Sequence, residues 1–467
     1  TQIGHNNHPT NNNRNRQLLE HGLRGNDAPN TNRTLDNHNN STSSIPASNL
    51  TIPLHAHSGT HHVHMYVGSP PQKQTLIVDT GSRAMAFPCT IAGMSDCCGS
   101  HASDYFDPSQ STTHFVSKCG NCVLEGISAC RQPLSFPGQS AKPNYCTFSQ
   151  TYTEGSSWTA TEVEDLVWLG TADNTQSLEL MPKLAVAYPF GCQTSSTGLF
   201  RNQYADGILG LSIHETSLVK AFWKEGLIER NAFGLCFTPK GGVLSLGGTL
   251  DPHNYHLDRM KTTPITHRDK HGYYSVEVIR LVVGEDIVVT DLETKPRLLK
   301  DLNAGKGCIL DSGTTDSYFP VSLSRAVRKA VVAYGMNMGL AEQKITLDDD
   351  SDLFSSKLRH REYTYDDFES FLPTLTVVLT NDVELKLLPK HYMENVPLDE
   401  HGNLVKWEGS LKLTNRLYFE EQKGSVLGQN AFFGYDILFD ASGDNPRIGV
   451  APSDCHSAAS DLVTTAR

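Results

Sequence analysis

One short pattern, Asp-[Ser/Thr]-Gly-[Ser/Thr], occurs twice in this chain, each time closing an apolar run. The first copy reads Leu76-Ile77-Val78-Asp79-Thr80-Gly81-Ser82 and the second Cys308-Ile309-Leu310-Asp311-Ser312-Gly313-Thr314. A short apolar run that meets a turn reads as a buried strand, so each carboxylate is delivered at a fixed point. Gly81 and Gly313 allow a tight turn behind it, and the hydroxyls of Thr80, Ser82, Ser312 and Thr314 can hydrogen-bond an ionised carboxylate. A single copy arises by chance in roughly a few per cent of chains this long; one in each half is far rarer. The bland alternative is a pair of Asx-turns closing hairpins.

If the two loops meet in space, chemistry follows. Two carboxyls about 3 Å apart cannot both ionise, so they share one proton and titrate as a pair. The ionised member can activate a water while the protonated member polarises a carbonyl. Hydrolysis of a peptide bond by this route needs no metal, no cofactor and no covalent intermediate. The partner it implies is a peptide or protein substrate.

Charge points the same way by exclusion. Lys and Arg number 39 against 51 Asp and Glu, a net charge of -12 over 467 residues, and no basic cluster offers a nucleic-acid surface. Strand-like alternation punctuated by Gly and Pro outweighs helical periodicity, so the expected class is mostly β. No apolar run approaches the ~18 residues that span a bilayer. The chain begins at Thr1 without a charged-then-apolar leader, so any signal peptide is expected to have been removed already or left out of the sequence.

The 11 cysteines are unevenly spread. Cys89, Cys97, Cys98, Cys119, Cys122, Cys130 and Cys146 crowd one stretch, whereas Cys192, Cys236, Cys308 and Cys455 are scattered. Cys119-x-x-Cys122 could be half of a zinc site, but no second such pair follows at the usual spacing. Small loops stapled by disulfides in an oxidising compartment fit better, and the odd total leaves at least one thiol unpaired within the chain.

Residues 1–50 are rich in Asn, Thr, Ser and His and poor in apolar side chains, so disorder is expected. The tract holds glycosylation sequons at Asn32, Asn39, Asn40 and Asn49, consistent with passage through the secretory pathway. His55, His57, His61, His62 and His64 invite a metal reading. Without carboxylate or Cys partners nearby, a histidine-rich solvated strand is the better expectation, with no metal. Gln150 to Trp158 reads as a β-hairpin with a mobile Gly-Ser tip. Ala205-Asp206-Gly207-Ile208-Leu209-Gly210-Leu211 is another apolar strand meeting Gly, followed by a helical stretch around Leu218 to Glu229. Residues 321–339 read as a helix. The two aspartates lie 311 − 79 = 232 residues apart, which suits two facing lobes with a cleft between them.

Across residues 52–455 these features resemble the pepsin-type (A1-type) aspartic proteases. Gly68-Ser69-Pro70-Pro71-Gln72 resembles the turn before the family's first catalytic loop. Ala205 to Leu211, Val426-Leu427-Gly428 and Phe439-Asp440 are similar to the strands that pack behind its aspartates. The resemblance implies a two-lobed, mostly β fold with a central cleft and a hairpin flap. It divides the chain into an N-terminal lobe (51–250) with a Cys-rich insert (89–146), a C-terminal lobe (251–456) and a tail (457–467). It makes Asp79 and Asp311 the catalytic pair and gives Thr80 and Ser312 a mutual hydroxyl-to-backbone grip. Ser82 and Thr314 would bond the outer carboxylate oxygens, and Tyr152 would be the flap tyrosine. The family's usual tryptophan partner for that tyrosine is replaced by Ala86, so Trp158 is expected to take its place.

The inserted cysteines, Phe190-Gly191-Cys192 and Ser453-Asp454-Cys455 resemble the nepenthesin-type branch, and that likeness suggests a Cys192–Cys455 disulfide. Tyr152-x-Glu154-Gly155-Ser156 and Gly210-Leu211-Ser212 look most like plasmepsin V and its relatives. Those act in the endoplasmic reticulum or Golgi on export signals of the Arg-x-Leu type and carry a C-terminal membrane helix. By this resemblance Glu154 would pair the substrate arginine, an anchor would lie beyond Arg467, and the expected state is a monomer. The competing expectation is a catalytically inactive pepsin-like binding or inhibitor protein, a kind that usually lacks an aspartate or flanking glycine retained here.

Overall fold

Each aspartate ends a strand covered on both faces, which is why the runs before them are apolar without alternation. In the computed structural model the strand Gln72–Asp79 is buried from Gln74 onward, and Cys308–Leu310 is buried throughout. The described residues are 50–90, 97–124, 129–131, 145–152, 155–170, 184–248, 259–266, 271–337, 372–395 and 413–455. Glu154 and the sequons at Asn32, Asn39, Asn40 and Asn49 lie outside them.

The fold is mostly β and two-lobed, and its halves use one plan twice. Gln72–Asp79 pairs in parallel with Gly207–Gly210, which pairs antiparallel with Ala86–Pro88 just after the first Asp loop. Cys308–Leu310 pairs in parallel with Ser425–Leu427, which pairs antiparallel with Ser317–Pro320 just after the second. In register, Gly210 lies opposite Asp79 and Leu427 opposite Leu310. The glycine of the first supporting strand has a steric cause. A Cβ on Gly207 would stand 2.0 Å from the Ala86 carbonyl oxygen, so only Gly admits the neighbouring strand.

The lobes share a sheet. The late strands Tyr435–Asp440 and Arg447–Pro452 pair with each other, and Tyr435–Asp440 also pairs with Ala232–Thr238 from the first half. That first-half strand continues through Gly241–Leu246 and Leu50–His57 to Thr60–Val67 and so to the first Asp strand. One apolar core runs through both halves, including the stacked rings of Phe233 and Phe439. Smaller sheets carry the second Asp strand and its outer cover.

Helices are short and peripheral, and none among the described residues is long and apolar enough to cross a membrane. The helix Leu218–Lys224 is shorter than the sequence pattern suggests. Gly226 ends it at φ +70°, with its N–H donating to Trp223 O and that of Leu227 to Phe222 O, a Schellman closure. The expected helix over 321–339 appears as a 3-10 turn, Val321–Leu323, leading into Ser324–Asn337.

Ten cysteines form disulfides: Cys89–Cys192, Cys97–Cys98, Cys119–Cys130, Cys122–Cys146 and Cys236–Cys455. The suggested Cys192–Cys455 pairing is therefore wrong. Cys192 lies opposite Phe87, in register with the strand that ends beside Cys89, whereas Cys236 sits opposite Asp436 close to the last strand. Register, invisible in cysteine spacing, decides both partners. Cys308 is left as the free thiol, fully buried, with burial pushing its pKa up to about 11. In the native protein a thiol reagent should label none of the cysteines, and after unfolding without reductant only Cys308. Mass spectrometry of non-reduced peptides should recover Cys89–Cys192 and Cys236–Cys455.

Candidate active site

The two Asp loops meet through side chains that each reach across to the other's backbone. Thr80 Oγ1 donates to Leu310 O (2.8 Å) and accepts from Ser312 N (2.9 Å). In return Ser312 Oγ donates to Val78 O (2.8 Å) and accepts from Thr80 N (3.0 Å). Both hydroxyl residues are fully buried, so every one of these groups would be an orphan without its opposite. Behind the loops, Leu211 N donates to Asp79 O (2.7 Å) and Asp311 N to Leu427 O (2.9 Å).

With the backbones clamped, the carboxyls come into contact. The Asp79 and Asp311 carboxyls face each other closely enough for the charge on one to act on the other. Gly81 N donates to Asp79 Oδ1 (2.8 Å), Gly313 N to Asp311 Oδ1 (2.9 Å), and Thr314 Oγ1 to Asp311 Oδ2 (2.7 Å). The glycines are required by proximity. A Cβ on Gly81 would lie 2.6 Å from Asp311 Oδ1, and one on Gly313 would lie 2.2 Å from Asp79 Oδ1. The expected counterpart of the Thr314 contact fails. Ser82 Oγ is close enough to Asp79 to favour its ionised form, but no well-aligned hydrogen bond among the described residues involves it.

This asymmetry has an electrostatic result. Burial, reinforced by the adjacent Asp311 carboxylate, holds Asp79 well above the usual carboxylate range. Asp311 takes two hydrogen bonds from its own loop against one for the more buried Asp79, so the extra proton rests on Asp79. The pair therefore holds one proton over a pH range in which an isolated aspartate would have lost it.

A cleft of about 500 Å³ opens over the two carboxyls. Ile77, Tyr152, Leu199, Phe200 and Ile208 line one side, and Tyr273, Ile309, Tyr318, Glu420 and Val426 the other. Tyr152 follows the hairpin strand Tyr145–Thr151, paired with Ser157–Leu169 so that Thr151 lies opposite Ser157. Its ring contacts Phe200 (4.9 Å), and Trp158 Nε1 donates to its hydroxyl (3.4 Å). Trp158 thus supplies what the buried Ala86 cannot. Gly155 closes the hairpin at φ +91°, its N–H donating to Tyr152 O (3.0 Å).

The histidine tract departs from its expectation. His61 and His62 are buried, not solvated. Strand Thr60–Val67 lies between Leu50–His57 and Gln72–Asp79 and has cover on both faces. The rings of His55 and His64 stack at 4.6 Å, but among the described residues no three His, Cys, Asp or Glu side chains converge as metal ligands. Sequence reading also passed over Gln429, whose amide donates to Ser312 O (2.7 Å), and over Glu420. Neither carries a local pattern that distinguishes it from any other surface or strand residue.

The comparisons with known proteins agree with this geometry. The family described as "Xylanase inhibitor N-terminal" matches residues 61–248, the stretch holding the first Asp loop and the hairpin. Aspartic protease 5 of Toxoplasma gondii is 27% identical over 418 residues, covering 84% of this chain and 36% of that protein. Aspartyl protease family protein 1 of Arabidopsis thaliana is 24% identical over 441 residues, 91% of this chain and 73% of the relative. Plasmepsin V of Plasmodium falciparum is 30% identical over 199 residues, 42% of this chain and 30% of that protein. Over these stretches the chain is similar to pepsin-like aspartic proteases. The chain spans about a third of the length of two of these relatives, and the stretch shared with plasmepsin V is too short to hold both Asp loops.

Two measurements check this geometry. Thr80→Val keeps the shape but strands Ser312 N and Leu310 O, and should destabilise the domain by about 2–5 kcal/mol in urea unfolding. The second concerns pH. Because Asp79 is held above its unfolded value, the native state binds the extra proton. Stability should therefore be greatest below the ordinary Asp range and fall as pH rises through the native value. In Asp79→Asn that fall should flatten, which thermal unfolding against pH will record.

Proposed function

We propose that this chain is an aspartic endopeptidase in which Asp79 and Asp311 activate one water between them. The observation that carries the reading is the pair of facing carboxyls at the floor of a cleft, clamped by Thr80 and Ser312. The ionised member takes a proton from water as its oxygen bonds to the substrate carbonyl carbon. The protonated member donates to the carbonyl oxygen, giving a neutral tetrahedral diol. A proton then passes to the amide nitrogen, the C–N bond breaks, and an acid and an amine leave. Tyr152, held by Trp158, would close over the substrate as the flap residue. Retention of both aspartates and both glycines argues against the inactive binding or inhibitor reading.

The substrate class rests on likeness. Similarity to plasmepsin V supports cleavage of export signals of the Arg-x-Leu type, with Glu154 pairing the arginine by two charge-assisted hydrogen bonds. Five disulfides and the sequons at Asn32, Asn39, Asn40 and Asn49 support a secretory or extracellular setting.

Asp79→Asn and Asp311→Asn should each lower kcat by about 10²–10⁴ on a cleavable peptide, with chelators without effect and a bell-shaped pH profile in the wild type. Undiminished cleavage by either variant would refute the dyad. Changing the substrate arginine to lysine should lower kcat/KM by about tenfold or more, and that penalty should vanish in Glu154→Ala. An equal penalty in both proteins would remove Glu154 from recognition.

A further inference from the structure

Behind the second Asp loop lies a buried relay that lacks one hydrogen. His61, 2% exposed, stacks on Phe237 with centroids 4.1 Å apart and planes 2° apart. Its Nε2 is 2.7 Å from Thr238 O and its Nδ1 2.7 Å from Gln429 Oε1. The Gln429 amide nitrogen in turn donates to Ser312 O at 2.7 Å. The line therefore runs from a backbone carbonyl, through imidazole and carboxamide, to a second backbone carbonyl in the loop of Asp311.

Proton counting decides the state of the ring. Carbonyl oxygens only accept, so both ends of the line need a hydrogen pointing outward. With Nε2–H on Thr238 and N–H of Gln429 on Ser312, the central contact sets a bare Nδ1 against Oε1. The other tautomer mends the centre and abandons Thr238. Turning the carboxamide over mends the centre and sets Oε1 against Ser312 O. Every neutral arrangement leaves one buried contact between two acceptors; the imidazolium leaves none. A further acceptor, Gly241 O, also faces the ring.

We infer that His61 is a positioning residue for the reaction, working as an imidazolium that fixes the Asp311 loop through Gln429 and the Ser312 carbonyl. This rests on the reading of Asp79 and Asp311 as the catalytic pair. The surroundings set when the charge is present. Burial lowers the His61 pKa below its usual 6.5, opposed by the acceptors Thr238, Gln429 and Gly241. Phe237 and Phe433 supply only ring faces. His62, the next residue, is pushed down to about 3, chiefly by burial and partly by the neighbouring histidines His55, His64, His61 and His57. His391 lies against the other ring, Phe433, with its pKa lowered to about 4 by burial and Lys390. Neither neighbour competes for the proton at mildly acid pH.

The test uses the full chain. Histidine ¹⁵N spectra should contain one imidazole with both nitrogens protonated at acid pH, titrating below 6.5 and absent from His61→Phe and His61→Asn. The Gly313 amide signal should shift with the same midpoint. The kcat of the wild type should fall roughly tenfold as pH rises through that midpoint. In His61→Phe this limb should disappear, leaving kcat at the lower level with KM within about twofold. Gln429→Met should remove the same limb while the His61 ring still titrates, so a poorly folding His61 variant does not end the experiment. A Gly313 signal indifferent to the His61 titration, or an unchanged limb in either variant, overturns the inference. If no peptide is cleaved at any pH, the protease reading fails, and the Gly313 signal still decides whether His61 holds the loop.

Discussion

Two hydroxyls exchanged between opposite halves hold the site together. Thr80 and Ser312 each bond two backbone groups of the other loop in a fully buried region. A net hydrogen bond is worth only about 1 kcal/mol, but an abandoned buried partner costs up to about 3. The clamp is therefore weighted against partial opening: losing one hydroxyl strands two backbone groups at once. It also forces the carboxyls together, which no pair of acids would choose. The approach is so close that Gly81 and Gly313 have no room for a Cβ.

That forced approach trades stability for chemistry. Asp79 is buried beside another acid with one strong donor of its own, so the fold carries a group that resists ionisation. Thr314 relieves Asp311, while Ser82 gives Asp79 no matching bond. Two loops that read almost alike in sequence thus hold their carboxyls in different environments, and acid–base chemistry needs that difference.

What could be read in the sequence was whatever is local and repeated. The Asp loops, their apolar strands, Tyr152 and the Trp158 substitute all follow from short patterns whose geometry neighbouring residues dictate. Long-range register could not be read so. It paired Cys192 with Cys89 and left Cys455 to Cys236. It also put Thr60–Val67 inside the sheet, where His61 and His62 are enclosed although a solvated strand was the expectation. Gln429 gave no signal, because its role depends on meeting a residue 368 positions away. Glu154 and the four sequons fall outside the described residues, so the sequence remains their only witness.

The duplicated plan bears on the order in which the site can assemble. When a nascent chain has released its first Asp loop, Thr80 has nothing to bond and Asp79 has no second acid. The missing half of the clamp arrives 232 residues later and is supported in turn by Ser425–Leu427, close to the last described residue. Translation itself therefore sets the moment at which the pair can form. Until residue 311 has been made, no fragment holds both acids.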